Sequence, residues 1–201
     1  MLNIYVGAMY SGKTTELMNN YCRYKKYNQL IIDYDTNDYD MNNDSINNNT
    51  KKLKTDNGLT INYYLDKLYN HNKNVVDCIK TTNINLLRSS ELVNNIKVIH
   101  INEAQFFQDL KMVVVYLVEI LKINVYLYGL DGDFKREKFG EVLDLVPYCN
   151  TITKLKGVCN NCDNEALFSH RIIKSDKQFL VNTEDENSYI PLCRSCYLNT
   201  I

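Results

Sequence analysis

Apolar residues in this chain come in short unbroken runs separated by amphipathic or polar stretches. Residues 2–7 (LNIYVG), 29–34 (QLIIDY), 97–102 (KVIHIN) and 124–131 (NVYLYGLD) are aliphatic, β-branched and aromatic runs. That pattern predicts strands buried on both faces. Residues 13–26 set Leu17, Met18, Tyr21 and Tyr24 at three-to-four spacing, which predicts a helix. Residues 88–96 and the Leu- and Val-rich 108–122 read as two more helices, and GEVLDLVPY (140–148) as a short one. TITKLKGV (151–158) reads as a last core strand. Residues 59–81 hold two short elements that fit strand or helix. Residues 35–57 are Asn- and Asp-rich and nearly without apolar side chains, so they read as a long mobile loop or a weak hairpin. Strands alternating with helices imply an α/β fold, a mainly parallel sheet with helices on both faces.

The length, 201 residues, suits one domain of ordinary size plus a small appendage. The expected division is an α/β domain over 1–150 and a small C-terminal unit over 151–201. The formal net charge of −1 supplies no general attraction to nucleic acid or to an anionic membrane. No apolar run is long enough to span a bilayer. The N-terminal MLNIYVGAMYSGK lacks a basic lead and reads as a first strand rather than a signal peptide, so a cytoplasmic location is expected. Seven cysteines, an odd number, argue against a disulfide framework. Cys22, Cys78 and Cys149 read as unremarked core or surface residues.

The first strand runs into GAMYSGKT: Gly7, Ala8, Met9, Tyr10, Ser11, Gly12, Lys13 and Thr14. This matches G-x-x-x-x-G-K-[ST] with a strand before it and a helix after it, the context of a phosphate-binding loop. Backbone N–H groups there wrap anionic oxygens, Lys13 reaches the β- and γ-phosphates, and the Thr14 hydroxyl is a ligand for Mg²⁺. A strand ending in Asp is the usual magnesium-holding partner, and here residues 97–102 end in Asn102 followed by Glu103. Asn102 keeps an oxygen but loses the charge, which weakens magnesium binding without abolishing it. Glu103 is a candidate general base for a substrate hydroxyl. His100, on the same strand, reads as a core residue.

Near the C-terminus, Cys159-x-x-Cys162 and Cys193-x-x-Cys196 form a four-thiolate set. Two CxxC knuckles complete a closed tetrahedral shell, so the expectation is a structural Zn²⁺. The ion would pin both ends of residues 163–192 as a lasso-like loop.

Taken together, GAMYSGKTTEL, NEAQFF, LDGDFKREKFG, LVP, TKLKGVC-x-x-C and Y-x-x-x-C-x-x-CY resemble, in order and over about residues 2–197, the type II thymidine kinases of the cellular and poxvirus-like group. The resemblance implies a P-loop NTPase-like α/β domain with a small zinc-binding lasso domain, usually a homotetramer. It implies transfer of the γ-phosphoryl of ATP to the 5′-hydroxyl of thymidine with Mg²⁺, and inhibition by dTTP. By resemblance Glu103 is the catalytic base, and Lys13, Thr14 and the loop backbone hold phosphates. Gln105 and Asp131 order the polar floor. Met9, Phe106, Phe134 and Phe139 wall the base pocket. Tyr189 closes over the nucleoside, and Phe179, Leu180, Val181, Asn182 and Thr183 recognise the pyrimidine through their backbone. Arg136 contributes near the site. Arg171 stands near the lasso entry, with a structural or a substrate role. The aromatic and basic alternation of DFKREKF also fits an exposed hairpin, a reading that has some weight for Lys135 and Lys138.

Three departures stand out. The family's D-E-[GA]-Q is N-E-A-Q at Asn102. The lasso carries VNTEDENSY in place of a small Gly-containing segment. KTDNG stands where a Ser-His pair is frequent. Asn102 and the altered lasso motivate an alternative, a nucleotide-binding regulatory protein of the same fold with weak or no turnover. A zinc-ribbon nucleic-acid binder would follow from the cysteine pairs alone, but the charge balance opposes it.

Overall fold

A computed structural model of the chain describes residues 1–36, 50–178 and 188–200. Its centre is an eight-stranded sheet. The strands are β1 (Leu2–Val6), β2 (Gln29–Tyr34), β3 (Lys51–Lys54), β4 (Thr60–Tyr69), β5 (Val75–Thr81), β6 (Val98–Ile101), β7 (Asn124–Gly129) and β8 (Thr151–Lys154). Their order across the sheet is β3-β4-β5-β2-β6-β7-β1-β8. From β5 to β8 every pairing is parallel. β3 and β4 add an antiparallel hairpin extension at one edge.

The four apolar runs become the central strands because side chains on both faces find cover. Ile4, Ile32, Ile99, Ile101, Val125 and Leu127 face a cluster shared with α3 (Leu110–Val115). Ile31, Val98, Tyr126 and Tyr128 face the other way, onto Leu17 and Met18 of α1 (Lys13–Arg23). His100, fully buried on that second face, lies between Gln29 and Tyr128 and stacks on Tyr126. It is a core residue, and burial lowers its pKa to about 4.

Several predicted elements are shorter or differently placed. The 108–122 helix is α3 followed by one π-helical turn, Tyr116–Ile120. The 88–96 helix is the single turn α2 (Ser90–Val93), preceded by a 3₁₀ segment, Ile84–Arg88. GEVLDLVPY is 3₁₀ over Val142–Tyr148, the tighter coil accommodating Pro147. TITKLKGV is not a core strand. β8 is an exposed edge strand that stops at Lys154 and is held by β1 on one side. The two undecided elements of 59–81 are both strands, β4 and β5. Of the polar stretch 35–57, residues 51–54 form β3; residues 37–49 lie outside the described set.

Beyond β8 the chain builds a small second layer. β9 (Gly157–Val158) pairs with β10 (Glu165–Ala166), and β11 (Phe168–Arg171) pairs with β12 (Tyr189–Leu192). The one-turn helix α4 (Arg194–Leu198) follows. Cys159, Ala166, Leu192, Cys193 and Tyr197 form its own small core.

Candidate active site

The C-terminal ends of β1, β2, β6 and β7 open on one cavity of about 540 Å³. That is the edge at which open parallel sheets bind ligands. β1 delivers the phosphate-type loop. Gly7 cannot carry a side chain, since a Cβ there would lie 2.5 Å from the Leu155 carbonyl oxygen. Gly12 takes the left-handed conformation (φ 84°) that turns the loop into α1. Lys13 is buried and donates back to the carbonyls of Gly7 (3.2 Å) and Ala8 (2.8 Å). Burial lowers its pKa, while Glu103 and Asp131 act against that. Met9 and Thr14 line the cavity, and the Met9 N–H donates to Ser169 of β11. Ala8 and Ser11 are buried behind the lining.

Glu103 follows β6 in a left-handed conformation (φ 47°, ψ 40°), which turns the backbone sharply at the strand end. Gln105 fixes its carboxylate. The amide nitrogen donates to Glu103 Oε2 at 2.7 Å, and the amide oxygen accepts from Leu130 N–H at 3.0 Å. Asn102 is buried and turns its amide nitrogen onto Asp33 Oδ1 at 2.8 Å. Asp33 Oδ2 also lies 3.4 Å from Lys80 Nζ. Burial raises the Asp33 pKa; Asn102 and Lys80 oppose the rise, and Glu103 adds to it.

Aromatic side chains wall the far side. Phe106 packs edge-on to Phe139 (5.3 Å between ring centres) and against Tyr34. Phe134 and Tyr189 complete that wall. Arg171 is buried outside the lining, with its guanidinium 3.7 Å from the Phe134 ring centre. It donates to the Tyr189 hydroxyl and to the carbonyls of Ser175 and Gln178. Its contacts are with the wall and the start of the lasso. Asp131 lies off the lining and pairs with Lys154, whereas Asp133 lines the cavity and accepts from Gln178. Lys135, Arg136 and Lys138 are exposed in a hairpin closed by a Gly132–Lys138 bridge. Arg136 stacks over Tyr197. Phe179, Leu180, Val181, Asn182 and Thr183 lie outside the described residues.

Sequence reasoning missed Asp33, Lys80 and the hairpin-tip residues Leu68, Tyr69 and His71, all of which line the cavity. The tip reaches the loop, where His71 sits 5.7 Å from the Tyr10 ring. The available signal for Asp33 was a carboxylate near the C-terminal end of a mostly apolar strand.

The four cysteines of the small layer gather as the spacing implied. Their sulfurs all lie within 4.8 Å of one another, with Cys162–Cys193 and Cys162–Cys196 at 3.7 Å. Four sulfurs each about 2.3 Å from one tetrahedral ion stand about 3.8 Å apart, so the set fits Zn²⁺. For magnesium, the donors around the cavity are hard oxygens from Thr14, Asp33, Asn102 and Glu103, which suit that ion. The small cysteine-bearing layer meets the cavity at several points, among them the hydrogen bonds from the Tyr197 hydroxyl to the Phe134 carbonyl (2.6 Å) and from the Met9 N–H to Ser169 (2.9 Å).

A phosphate loop and a carboxylate facing one cavity, at the C-terminal edge of a parallel sheet, define a P-loop phosphotransferase architecture. The family model described as thymidine kinase matches residues 1–62 and 60–197. The chain is 31% identical to the thymidine kinase of Choristoneura biennis entomopoxvirus, over 98% of this chain and 95% of that protein. It is 32% identical to that of Raccoon poxvirus, over 98% and 97%, and 30% identical to that of Oryza sativa subsp. japonica, over 98% and 66%. The chain belongs to the thymidine kinase family, whose members are ATP-dependent nucleoside kinases.

Proposed function

We propose that the chain transfers the γ-phosphoryl of ATP to the 5′-hydroxyl of thymidine, giving dTMP and ADP. The carrying observation is that Glu103, fixed by Gln105, faces the same cavity as Lys13 and a wall of aromatic side chains. The thymidine 5′-oxygen forms the new bond to the γ-phosphorus as the bond to the ADP oxygen breaks. Glu103 takes the hydroxyl proton. Lys13 leaves its two carbonyl partners for the phosphates, and loop N–H groups cradle them. Magnesium, when bound, neutralises phosphate charge; Thr14 and the Asp33–Asn102 corner are the residues available to hold it. Phe106, Phe134, Phe139, Met9 and Tyr189 sandwich the base, and the backbone of 179–183 reads its edge. Arg171 positions Tyr189 and Phe134 rather than touching substrate.

The same reading includes a structural zinc on Cys159, Cys162, Cys193 and Cys196, a homotetramer, inhibition by dTTP at the nucleoside site and a cytoplasmic location. Formation of dTMP from thymidine, ATP and Mg²⁺ is the direct test; no product from any nucleoside in a broad panel would sink the proposal. Asn102 favours a second reading, a nucleotide-binding regulator without turnover. Titration calorimetry showing ATP or dTTP binding alongside an absence of product at high Mg²⁺ would select it.

A further inference from the structure

The chain lacks the carboxylate expected at position 102, yet a carboxylate stands one strand away at the same level. β2 and β6 are parallel neighbours with Ile32 opposite Ile101, so the next residues, Asp33 near the end of β2 and Asn102 just past β6, stand side by side. Both side chains point to the α1 face, because Ile31 and Val98, each an even number of residues away, pack there. Both are buried, both line the cavity with Lys13, Thr14 and Glu103, and the Asn102 amide nitrogen is committed to Asp33. Among the described residues, Asp33 Oδ2 makes one long ion pair, to Lys80 at 3.4 Å. Lys80 has a second carboxylate in reach, Asp66 at 3.9 Å, and so can release Asp33 without being left unpaired.

We propose that Asp33 replaces residue 102 as the anionic anchor of the nucleotide-bound Mg²⁺, with Asn102 reduced to orienting it. The proposal rests on the phosphate-site reading above. It changes the meaning of the departure at 102, because the negative charge has been moved rather than lost. It also changes what Asn102→Asp does. That substitution alone sets a second carboxylate 2.8 Å from the first, and two carboxylates at such range do not both ionise near neutrality.

The test is the factor by which saturating Mg²⁺ tightens binding of the non-hydrolysable β,γ-imido analogue of ATP, measured by titration calorimetry. In the unaltered protein Mg²⁺ is expected to tighten binding about tenfold or more, a coupling of ordinary size. Asp33→Asn keeps an acceptor for Asn102 and is expected to bring the factor close to one. Metal-free binding should hold or improve, since a negative charge beside the phosphates is gone. The exchanged pair, Asp33→Asn with Asn102→Asp, is expected to regain the factor. Equal weakening with and without Mg²⁺ in Asp33→Asn, or an unchanged factor, overturns the proposal and leaves Asp33 as the structural partner of Lys80. Absence of Mg²⁺ coupling in the unaltered protein overturns it too. Should Asp33→Asn not fold, Asp33→Ser decides in its place, with a lost factor in favour and an unchanged factor against. Failure of thymidine turnover with the coupling intact would instead remove the acceptor assignment and leave this one standing.

Discussion

Glu103 is the residue on which the proposed chemistry depends, and its backbone is in a conformation that L-residues avoid (φ 47°, ψ 40°). Replacing it with Gly or with Ala removes the same carboxylate and the same hydrogen bond from Gln105, so the difference between the two variants reports the backbone alone. A left-handed conformation costs a residue with a Cβ about 1–2 kcal/mol, and Gly adopts it freely. Gly gives back about 0.5–1 kcal/mol through the greater freedom of its unfolded chain. The net expectation is that Glu103→Gly is more stable than Glu103→Ala by about 0.5–1 kcal/mol, the reverse of the usual order. For a chain of this size that is a melting-temperature gap of about 1–4 °C, within reach of scanning calorimetry on matched samples. Both variants should lose turnover by about 10²–10⁴-fold, the typical contribution of a positioned base. Glu103→Gln keeps the side-chain shape and a hydrogen-bond acceptor for Gln105, and should lose turnover to a similar degree with little change in melting. An Ala variant as stable as the Gly variant would refute the strain argument. A Gln variant that still turns over would refute the base.

Three further outcomes follow from other parts of the structure. His100 has a folded pKa near 4 against about 6.5 unfolded, so below pH 6.5 the unfolded chain takes a proton that the folded one refuses; about 3 kcal/mol of stability should drain away as pH falls from 6.5 to 4, and His100→Gln should flatten that slope in urea titrations. Gly140 has φ 60° and a Cβ there would overlap the Gln105 carbonyl, so Gly140→Ala should destabilise by about 2–4 kcal/mol and lower turnover by displacing the residue that holds Glu103; an unchanged melting temperature would count against this packing. Removing the proposed zinc with a chelator, or Cys162→Ser, should weaken binding of thymidine, through Tyr197 at the Phe134 wall, and also of the ATP analogue, through Ser169 at Met9 of the phosphate loop; unchanged binding of both in calorimetry would count against this coupling.

Legibility in the sequence followed the range of the interactions. β1, β2, β6 and β7 were readable because strands buried on both faces need no partner to explain their composition. β8 misled because its exposed side chains are those of an edge, and only pairing with β1 makes it part of the sheet. β4 alternates poorly, mixing Tyr, Asn, Asp and Lys on an outer strand, so neither period stands out. The 108–122 helix was cut short by a π turn that no side-chain pattern announces. At the site, the phosphate loop and the Asn102–Phe106 run are contiguous and could be seen. Asp33, Lys80 and His71 reach the cavity only through parallel pairing and a hairpin, across tens of residues of chain, and a local motif carries no trace of that.

Four cysteines gather in the small layer, while the phosphate loop has none. Thiols are open to oxidation. Damage there should reach the cavity on two sides, through Tyr197 at the Phe134 carbonyl and through Ser169 at the Met9 N–H. Under the proposed zinc assignment the small layer would be the fuse of the molecule, and the parallel sheet the part that outlasts it.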